Sequence, residues 1–154
     1  MEIIGPTLNE RKQCEDVLRS LPMWFGIEEA LLMYADDSAR LPTFAVIEGT
    51  AVKGFISLRQ HFPHAWEVHC IAVRAEARNK GYGRALNAHA EGWLCAQGVS
   101  LLQVKTVAAT SPSKAYAQTR EFYKHLGFQP LEVFPELWSP RNPCLQLVKF
   151  LPAS

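Results

Sequence analysis

The chain has 154 residues, of which 48% are hydrophobic and 20% charged, and its formal net charge is +1. These values are typical of one globular domain with its own core, which we place at residues 1–154. The charge gives no basic field for nucleic acid, and no apolar run reaches the roughly 18 residues of a membrane span. The four cysteines form no C-x-x-C pair and the N-terminus lacks signal-peptide features, so we expect a cytoplasmic protein with free thiols.

The first half of the chain predicts two helices between a short strand and three longer ones. Met1–Ile4 forms the short strand. Thr7 and Glu10 predict a capping box that opens a helix, which runs to about Leu21 and is ended by Pro22. A second helix should follow, and then three strands, over Ile27–Tyr34, Thr43–Glu48, Ala51–Gln60 and Trp66–Val73.

The second half predicts helices and strands in alternation. A helix over Tyr82–Gln97 is ended by Gly98. Three prolines between Pro135 and Pro143 predict an irregular excursion before the last strand. The other elements are a buried strand, a helix that begins near Tyr116, a strand and the final strand, over Leu101–Val107, Tyr116–Leu126, Phe128–Phe134 and Leu145–Phe150. The predicted order is therefore β-α-α-β-β-β-α-β-α-β-β.

The most informative stretch lies between the third long strand and its helix, and reads Arg78-Asn79-Lys80-Gly81-Tyr82-Gly83-Arg84. Glycines at a helix start allow a tight turn and expose unpaired N–H groups, which bind anions together with the helix dipole. The cations add full charges, so we interpret this loop as a pyrophosphate site. The dinucleotide fingerprint would need a small residue where Leu86 stands, and the P-loop pattern is absent.

A second pattern follows in the helix near Tyr116. Polar and aromatic residues recur on one helical face, and Gly127 is placed to end the helix before Phe128. The Arg-x-x-Gly-x-Gly loop and the ending Phe-Tyr-x-x-x-Gly-Phe resemble, in this order, two recurrent signatures of the GNAT superfamily of N-acyltransferases. The resemblance covers Glu67–Phe128, about half of the chain.

The resemblance implies an α/β (α+β) fold, with a mixed, mostly antiparallel sheet of six to seven strands and helices on both faces. It also implies acetyl-CoA as the cosubstrate, whose pantetheine arm would lie where two parallel strands splay apart. One departure is Tyr116, which stands where the family often has an asparagine that contacts pantetheine. The implied cofactor-binding residues are Ile71, Ala72, Val73, Arg78, Asn79, Lys80, Gly81, Tyr82, Gly83, Arg84 and Tyr116.

Acetyl transfer to an amine needs a base for the amine, donors for the oxyanion and a proton for the thiolate. By the resemblance, Glu67 is the candidate base, directly or through water, and Tyr123 is the candidate acid. The amides of Ile71–Val73 would serve the oxyanion. Strand alternation places Glu67, His69, Ile71 and Val73 on one face.

Alternatives remain open for these residues. Glu67 could instead pair with Arg59 on the neighbouring strand. His69 could share the proton relay, contact the substrate, or be a satisfied strand histidine. Together with Glu67 and His69, His61 and His64 also suggest a metal site, but zinc needs convergent ligands, and we predict none.

The acceptor is least constrained by the sequence. By the resemblance, Met23–Gly26 and Pro135–Pro143 form its wall, so Trp24, Phe25, His69 and Trp138 are candidate substrate residues; the aromatic ones could equally be core residues. Three functions stay open: an N-acetyltransferase for a small amine or amino-acid derivative, an acetyltransferase for protein or aminoacyl-tRNA in a toxin-like role, and a non-catalytic acyl-CoA sensor. The net charge does not support the second, and Glu67 and Tyr123 argue against the third. We expect acetyl-CoA and an amine as partners, neither nucleic acid nor membrane, and a homodimer as one possible assembly.

Overall fold

The computed structural model describes residues 1–153, in which seven strands and four helices follow the predicted order. A 3-10 turn at Ala75–Ala77 precedes the third helix. The helices are α1 (Arg11–Arg19), α2 (Glu28–Ser38), α3 (Tyr82–Ala96) and α4 (Lys114–His125). The strands are β1 (Glu2–Ile4), β2 (Thr43–Glu48), β3 (Ala51–Phe62), β4 (Ala65–Val73), β5 (Leu101–Val107), β6 (Gln129–Ser139) and β7 (Asn142–Phe150).

The strands form one sheet in the order β1-β2-β3-β4-β5-β7-β6, and every neighbouring pair except β4–β5 is antiparallel. Apolar side chains cover both faces. On one face, Leu86 and Leu94 of α3 and Tyr123 of α4 pack with the strands. On the other, Val17 and Leu31 belong to a second cluster, formed with α1 and α2. The mixed, mostly antiparallel sheet with helices on both faces is confirmed.

The parallel strands β4 and β5 pair only over their first halves. Ala65–Val68 match Leu101–Val104 in register, after which β4 continues along β3 and β5 continues along β7. Residues 69–73 and 105–107 therefore face one another without pairing. We call this gap the wedge. Its edges carry backbone N–H and C=O groups that need partners other than the opposite strand.

A β-bulge lies in β4 where the wedge begins. Ser57 is opposite Cys70 and Leu58 is opposite Val68, so His69 has no counterpart on β3. Trp66 and Val68 pack in the same cluster as Ile71 and Val73, whereas Cys70 and Ala72 pack in the opposite cluster. The prediction that Glu67, His69, Ile71 and Val73 share one face is therefore wrong, because the extra residue inverts the alternation.

Two helix boundaries, the start of α1 and the end of α2, differ from the predicted ones. The capping box at Thr7 and Glu10 is wrong: α1 begins at Arg11 without a side-chain cap, and Glu10 accepts from Gln13 Nε2 at 3.0 Å. The preceding chain is held against the sheet because Thr43 N donates to Pro6 O at 2.8 Å, so Thr7 stays outside the helix. Helix α2 continues to Ser38, beyond the predicted end at Tyr34.

The predicted irregular excursion over Pro135–Pro143 is also wrong. Strand β6 runs to Ser139, and β7 begins at Asn142 after a tight turn. The strand tolerates Pro130 and Pro135 because β6 is at the edge of the sheet, where a missing N–H removes no ladder bond. The pairing register does shift between Phe134 and Ser139. None of the helices within residues 1–153 has the length and apolarity to cross a membrane.

Candidate active site

A cleft of about 1460 Å³ opens along the wedge. His69–Val73 of β4 and Lys105–Val107 of β5 form its two inner walls. The loop before α3, helix α4, the link between α1 and α2 and residues beside the β6–β7 turn also line the cleft. The cleft thus joins most of the predicted site residues, and only Glu67 and Lys80 are absent from its lining.

The loop end of the cleft has the geometry of an anion site. Asn79 and Gly81 both have left-handed backbones, with φ of 64° and 84°, and they turn the chain into α3. The first helical bond is from Ala85 N to Gly81 O, at 3.0 Å. The earlier amides of the helix therefore have no acceptor within it, and Tyr82, Gly83 and Arg84 line the cleft. Glycine suits position 81 because it adopts positive φ without cost.

The remaining loop residues differ in whether they face the cleft. Arg78 and Arg84 line the cleft, but Lys80 is exposed outside it. A Cβ atom on Gly83 would lie 3.0 Å from Cζ of Phe122. Gly83 therefore also allows α3 to approach α4 closely, a packing role that the motif alone did not indicate.

Tyr123 is placed in the cleft by α4. The residue is 6% exposed, and its ring packs against Phe122 and Phe128, with centroids 5.5 and 5.7 Å away. Burial, with smaller contributions from nearby Cys70, Tyr34 and Tyr116, raises the pKa of the Tyr123 phenol. The phenol therefore stays protonated at neutral pH, as a proton donor must.

Trp24 connects the α1–α2 link to α4 and to the loop before α3. Its Nε1 donates to Thr119 Oγ1 at 2.9 Å, and its carbonyl accepts from the Tyr116 hydroxyl at 3.2 Å. The Arg78 guanidinium lies 4.4 Å from the centroid of the Trp24 ring. Tyr116 thus holds the α1–α2 link against α4, a role unlike that of the family's asparagine.

The other predicted acceptor residues line the same region. Phe25 meets Tyr34 of α2 edge to face, with centroids 5.8 Å apart. Trp138 lies at the rim of the cleft and is 47% exposed. Aromatic side chains therefore line this part of the cleft, including Tyr34, which the sequence analysis did not name. Their contact with an acceptor stays a prediction.

Glu67 is buried at the base of the wedge. Its Oε1 lies 2.6 Å from His61 Nε2, accepts from Gln103 Nε2 at 3.1 Å and lies 3.6 Å from Lys105 Nζ. Arg59 is opposite Glu67 in register, yet its side chain points to His69 and Asp37. The alternative Glu67–Arg59 pair is therefore not formed, and the role of Glu67 as a base stays a prediction.

Asp37 is a site residue that sequence reasoning missed. The residue is 2% exposed, and its carboxylate lies 2.8 Å from His69 Nε2 and also accepts from Arg40 Nη2. Burial opposes the charge, but Arg40 and His69 together hold the pKa of Asp37 below its ordinary value. The available signal was spacing, since Ala30, Tyr34 and Asp37 follow one helical face, but α2 was expected to end at Tyr34.

His69 faces both Asp37 and the cleft. Its ring packs against Tyr34, with centroids 5.1 Å apart, and its Nδ1 lies 3.5 Å from Arg59 Nε. Burial lowers the pKa of His69, although the bond to Asp37 opposes that shift. The imidazole is therefore neutral at pH 7.

The four residues that suggested a metal do not converge. His61 meets Glu67, His69 meets Asp37, and His64 Nδ1 lies 3.0 Å from the carbonyl of Gly98. Among residues 1–153, no three metal-ligating side chains come together.

Comparisons with known proteins agree with this geometry. The sequence profile of the acetyltransferase (GNAT) domain matches residues 40–130, more than half of the chain. A comparison with curated proteins finds no match.

Several solved structures share the fold. A GNAT-family protein from Desulfovibrio desulfuricans aligns with a TM-score of 0.87 at 18% identity, over 98% of this chain and 99% of that one. An aminoglycoside 6'-N-acetyltransferase complexed with coenzyme A aligns with a TM-score of 0.78 at 18% identity, over 100% of this chain and 99% of that one. The ribosomal-protein-S18-alanine N-acetyltransferase from Escherichia coli aligns with a TM-score of 0.73 at 17% identity, over 99% of this chain and 96% of that one. With the profile match, the phosphate-type loop and the wedge, these findings show that the chain belongs to the GNAT family of acetyltransferases.

Proposed function

We propose that this protein transfers the acetyl group of acetyl-CoA to the primary amine of a small molecule or amino-acid derivative, by direct attack of the amine on the thioester. The observation that carries the proposal is the unpaired wedge between residues 69–73 and 105–107, which runs into the free amides at the start of α3. A pyrophosphate at those amides would direct the pantetheine arm along the wedge.

The cleft supplies groups for each charge that develops in this reaction. Arg78, Arg84 and the α3 dipole would hold the pyrophosphate. The edge of β4 that faces the wedge, at Ile71–Val73, would donate to the carbonyl oxygen as it becomes negative. Tyr123, protonated and held by its aromatic neighbours, would give its proton to the departing thiolate.

The aromatic lining of the proposed acceptor end supports a small substrate. Trp24 is tied to α4 by its bond to Thr119, and Phe25, Tyr34 and Trp138 complete an aromatic wall. Such a wall suits a compact, partly apolar amine. One neighbour of the same fold acts on an aminoglycoside and another on a ribosomal protein, so the fold alone does not select the acceptor class.

The proposal is tested in two steps. Calorimetry with acetyl-CoA should give saturable binding at one site per chain. A library of primary amines, amino-acid derivatives, aminoglycosides and peptides is then screened with acetyl-CoA by following release of free CoA. Binding with release only for small amines supports the proposal. Release only for peptides overturns the acceptor class, and binding without release for any amine indicates the sensor.

The homodimer stays a prediction, and light scattering after size-exclusion chromatography would check it. A dimer should elute at about twice the 17.3 kDa mass of the chain. A monomer with full activity would show that the cleft is complete within one chain.

A further inference from the structure

Two carboxylate–histidine pairs lie near the start of the wedge, and they differ in their access to it. Glu67 is bonded to His61 and Gln103 and does not line the cleft. His69, bonded to Asp37, lines the cleft at the bulge where β4 leaves β5. Bulges re-aim a side chain beside active sites, and here the side chain in that position is an imidazole.

The partners of His69 define its tautomer. An ionised carboxylate only accepts hydrogen bonds, so Nε2, at 2.8 Å from Asp37 Oδ2, must carry a proton. The guanidinium of Arg59 only donates, so Nδ1, at 3.5 Å from its Nε, must hold a lone pair. His69 is therefore a neutral imidazole whose basic atom is Nδ1.

The charged and titratable groups around His69 come from three elements. Asp37, Tyr34 and Arg40 belong to or follow α2, Arg59 belongs to β3, and Glu67 belongs to β4. The buried Asp37 carboxylate would stabilise an imidazolium at His69, while its bonds to Arg40 and His69 keep it charged. Arg59 opposes protonation, but its contact with Nδ1 is long, at 3.5 Å, and its side chain is 41% exposed. The step therefore requires the acceptor amine to take the place of Arg59 at Nδ1.

We propose that His69 is the base that removes a proton from the acceptor amine, and that Asp37 is a positioning residue that holds His69 in its Nε2–H tautomer. This inference rests on the acetyl transfer proposed above. In this assignment Glu67 is not the base but the ion-pair partner of Lys105. Lys105 lines the cleft, and its Nζ lies 3.6 Å from Glu67 Oε1.

In the proposed step, the acceptor nitrogen loses two protons and gains the acetyl group. An acceptor ammonium gives one proton to Nδ1, and its nitrogen lone pair then forms the bond to the thioester carbonyl carbon. The C–S bond breaks and its electron pair leaves with sulfur. Tyr123 gives its proton to sulfur, and the second proton that the attacking nitrogen loses then restores the Tyr123 phenol. The products are an N-acetyl amide, CoA thiol and a protonated His69, which returns its proton to water.

Kinetics over pH separate the two histidine pairs. We use 2-phenylethylamine, chosen for the aromatic wall, and any stronger acceptor from the screen. His69→Gln should lower kcat/KM by about 10²–10⁴ and leave only the pH dependence of the amine's own ionisation. Glu67→Gln should lower kcat/KM by less than about tenfold. It should also keep the acidic limb, which is the fall in kcat/KM at low pH. The reverse pattern would overturn the proposal.

Asp37→Asn distinguishes positioning from a merely structural role. Asp37 raises the pKa of His69, so its loss should move the acidic limb to lower pH and also lower the plateau. Arg40→Ala is the matched control, since it removes another partner of the same carboxylate and should retain the limb. An Asp37→Asn enzyme with an unshifted limb would contradict the positioning role.

An acceptor-free measurement keeps the inference distinct from the proposed function. Nitrogen-15 spectra of the imidazoles, assigned with His69→Gln, should show His69 as a neutral Nε2–H tautomer at pH 7, with an Nε2 signal that changes in Asp37→Asn. A protonated ring or an Nδ1–H tautomer would overturn the proposal even in an active enzyme. If acetyl-CoA binds but no amine is acetylated, the proposed function fails, while the spectra still decide whether the pair exists.

Discussion

The proposed cofactor side and the proposed acceptor side of the cleft are built in different ways. The cofactor side consists mainly of backbone, from the turn at Asn79 and Gly81, the start of α3 and one edge of β4. The acceptor side consists of side chains from α2, the α1–α2 link, β4 and the β6–β7 turn. A site made of backbone leaves a local glycine pattern in the sequence, whereas a site made of side chains depends on distant segments meeting.

Among the variants that compare the two sides, the largest effect is expected at Tyr123, the proposed proton donor. Tyr123→Phe should lower turnover by roughly tenfold to a thousandfold, because the proton donor is lost while the ring still packs against Phe128. Acetyl-CoA affinity, measured by calorimetry, should barely change. If Tyr123→Phe turns over like the parent and Tyr123→Ala loses affinity, the residue is only a wall of the cleft.

The next effect tests the charge of the cofactor side. Arg84→Glu places an anion beside the proposed pyrophosphate and should weaken acetyl-CoA binding by at least tenfold, about 1.4 kcal/mol. Lys80→Glu makes the same change of charge on a residue outside the cleft lining, so it should weaken acetyl-CoA binding clearly less. Equal losses of acetyl-CoA affinity in the two variants would mean that long-range electrostatic attraction, and not direct contact with Arg84, explains the binding.

Glycine substitutions test the backbone of the same side. Gly81 has φ of 84° and free space around it, so Gly81→Ala should cost about 1–2 kcal/mol from strain alone. Gly92 lies within α3 with nothing within 4 Å, and Gly92→Ala should stabilise by about 0.5–1 kcal/mol. Urea unfolding measures both. A Gly81→Ala protein as stable as Gly92→Ala would contradict the left-handed turn.

The smallest effect concerns the connection between the two sides. Trp24→Phe removes the 2.9 Å bond to Thr119 but leaves a ring beneath Arg78. A net hydrogen bond contributes about 0.5–1.5 kcal/mol, so we expect a severalfold rise in the acceptor KM with little change in acetyl-CoA affinity. The matched variant Thr119→Val should give the same rise. If either variant leaves KM unchanged, the link does not shape the acceptor end.

The element order and the loop could be predicted because they follow local rules. Alternation located the strands, and two glycines between cations indicated the helix start, which the structure places at Tyr82. The predicted element boundaries were wrong where tertiary contacts determine the structure. Edge position allowed β6 to include Pro135, and contacts with the sheet kept Thr7 out of α1.

The bulge at His69 accounts for the main difference at the site. One extra residue in β4 inverted the alternation, and no local pattern announces it. Asp37 lies 32 residues before His69, at the end of a helix that looked shorter in the sequence. Side-chain pairs of this kind require the fold to be known first.

The most direct test of the wedge as the acetyl-CoA site is an amide NMR titration of the parent protein with acetyl-CoA. We predict saturable shifts concentrated at Ile71–Val73, Gly81–Arg84 and Lys105–Val107, with amides on the far side of α1 little affected. Saturable binding whose shifts lie elsewhere, or no binding at millimolar acetyl-CoA, would contradict the central claim.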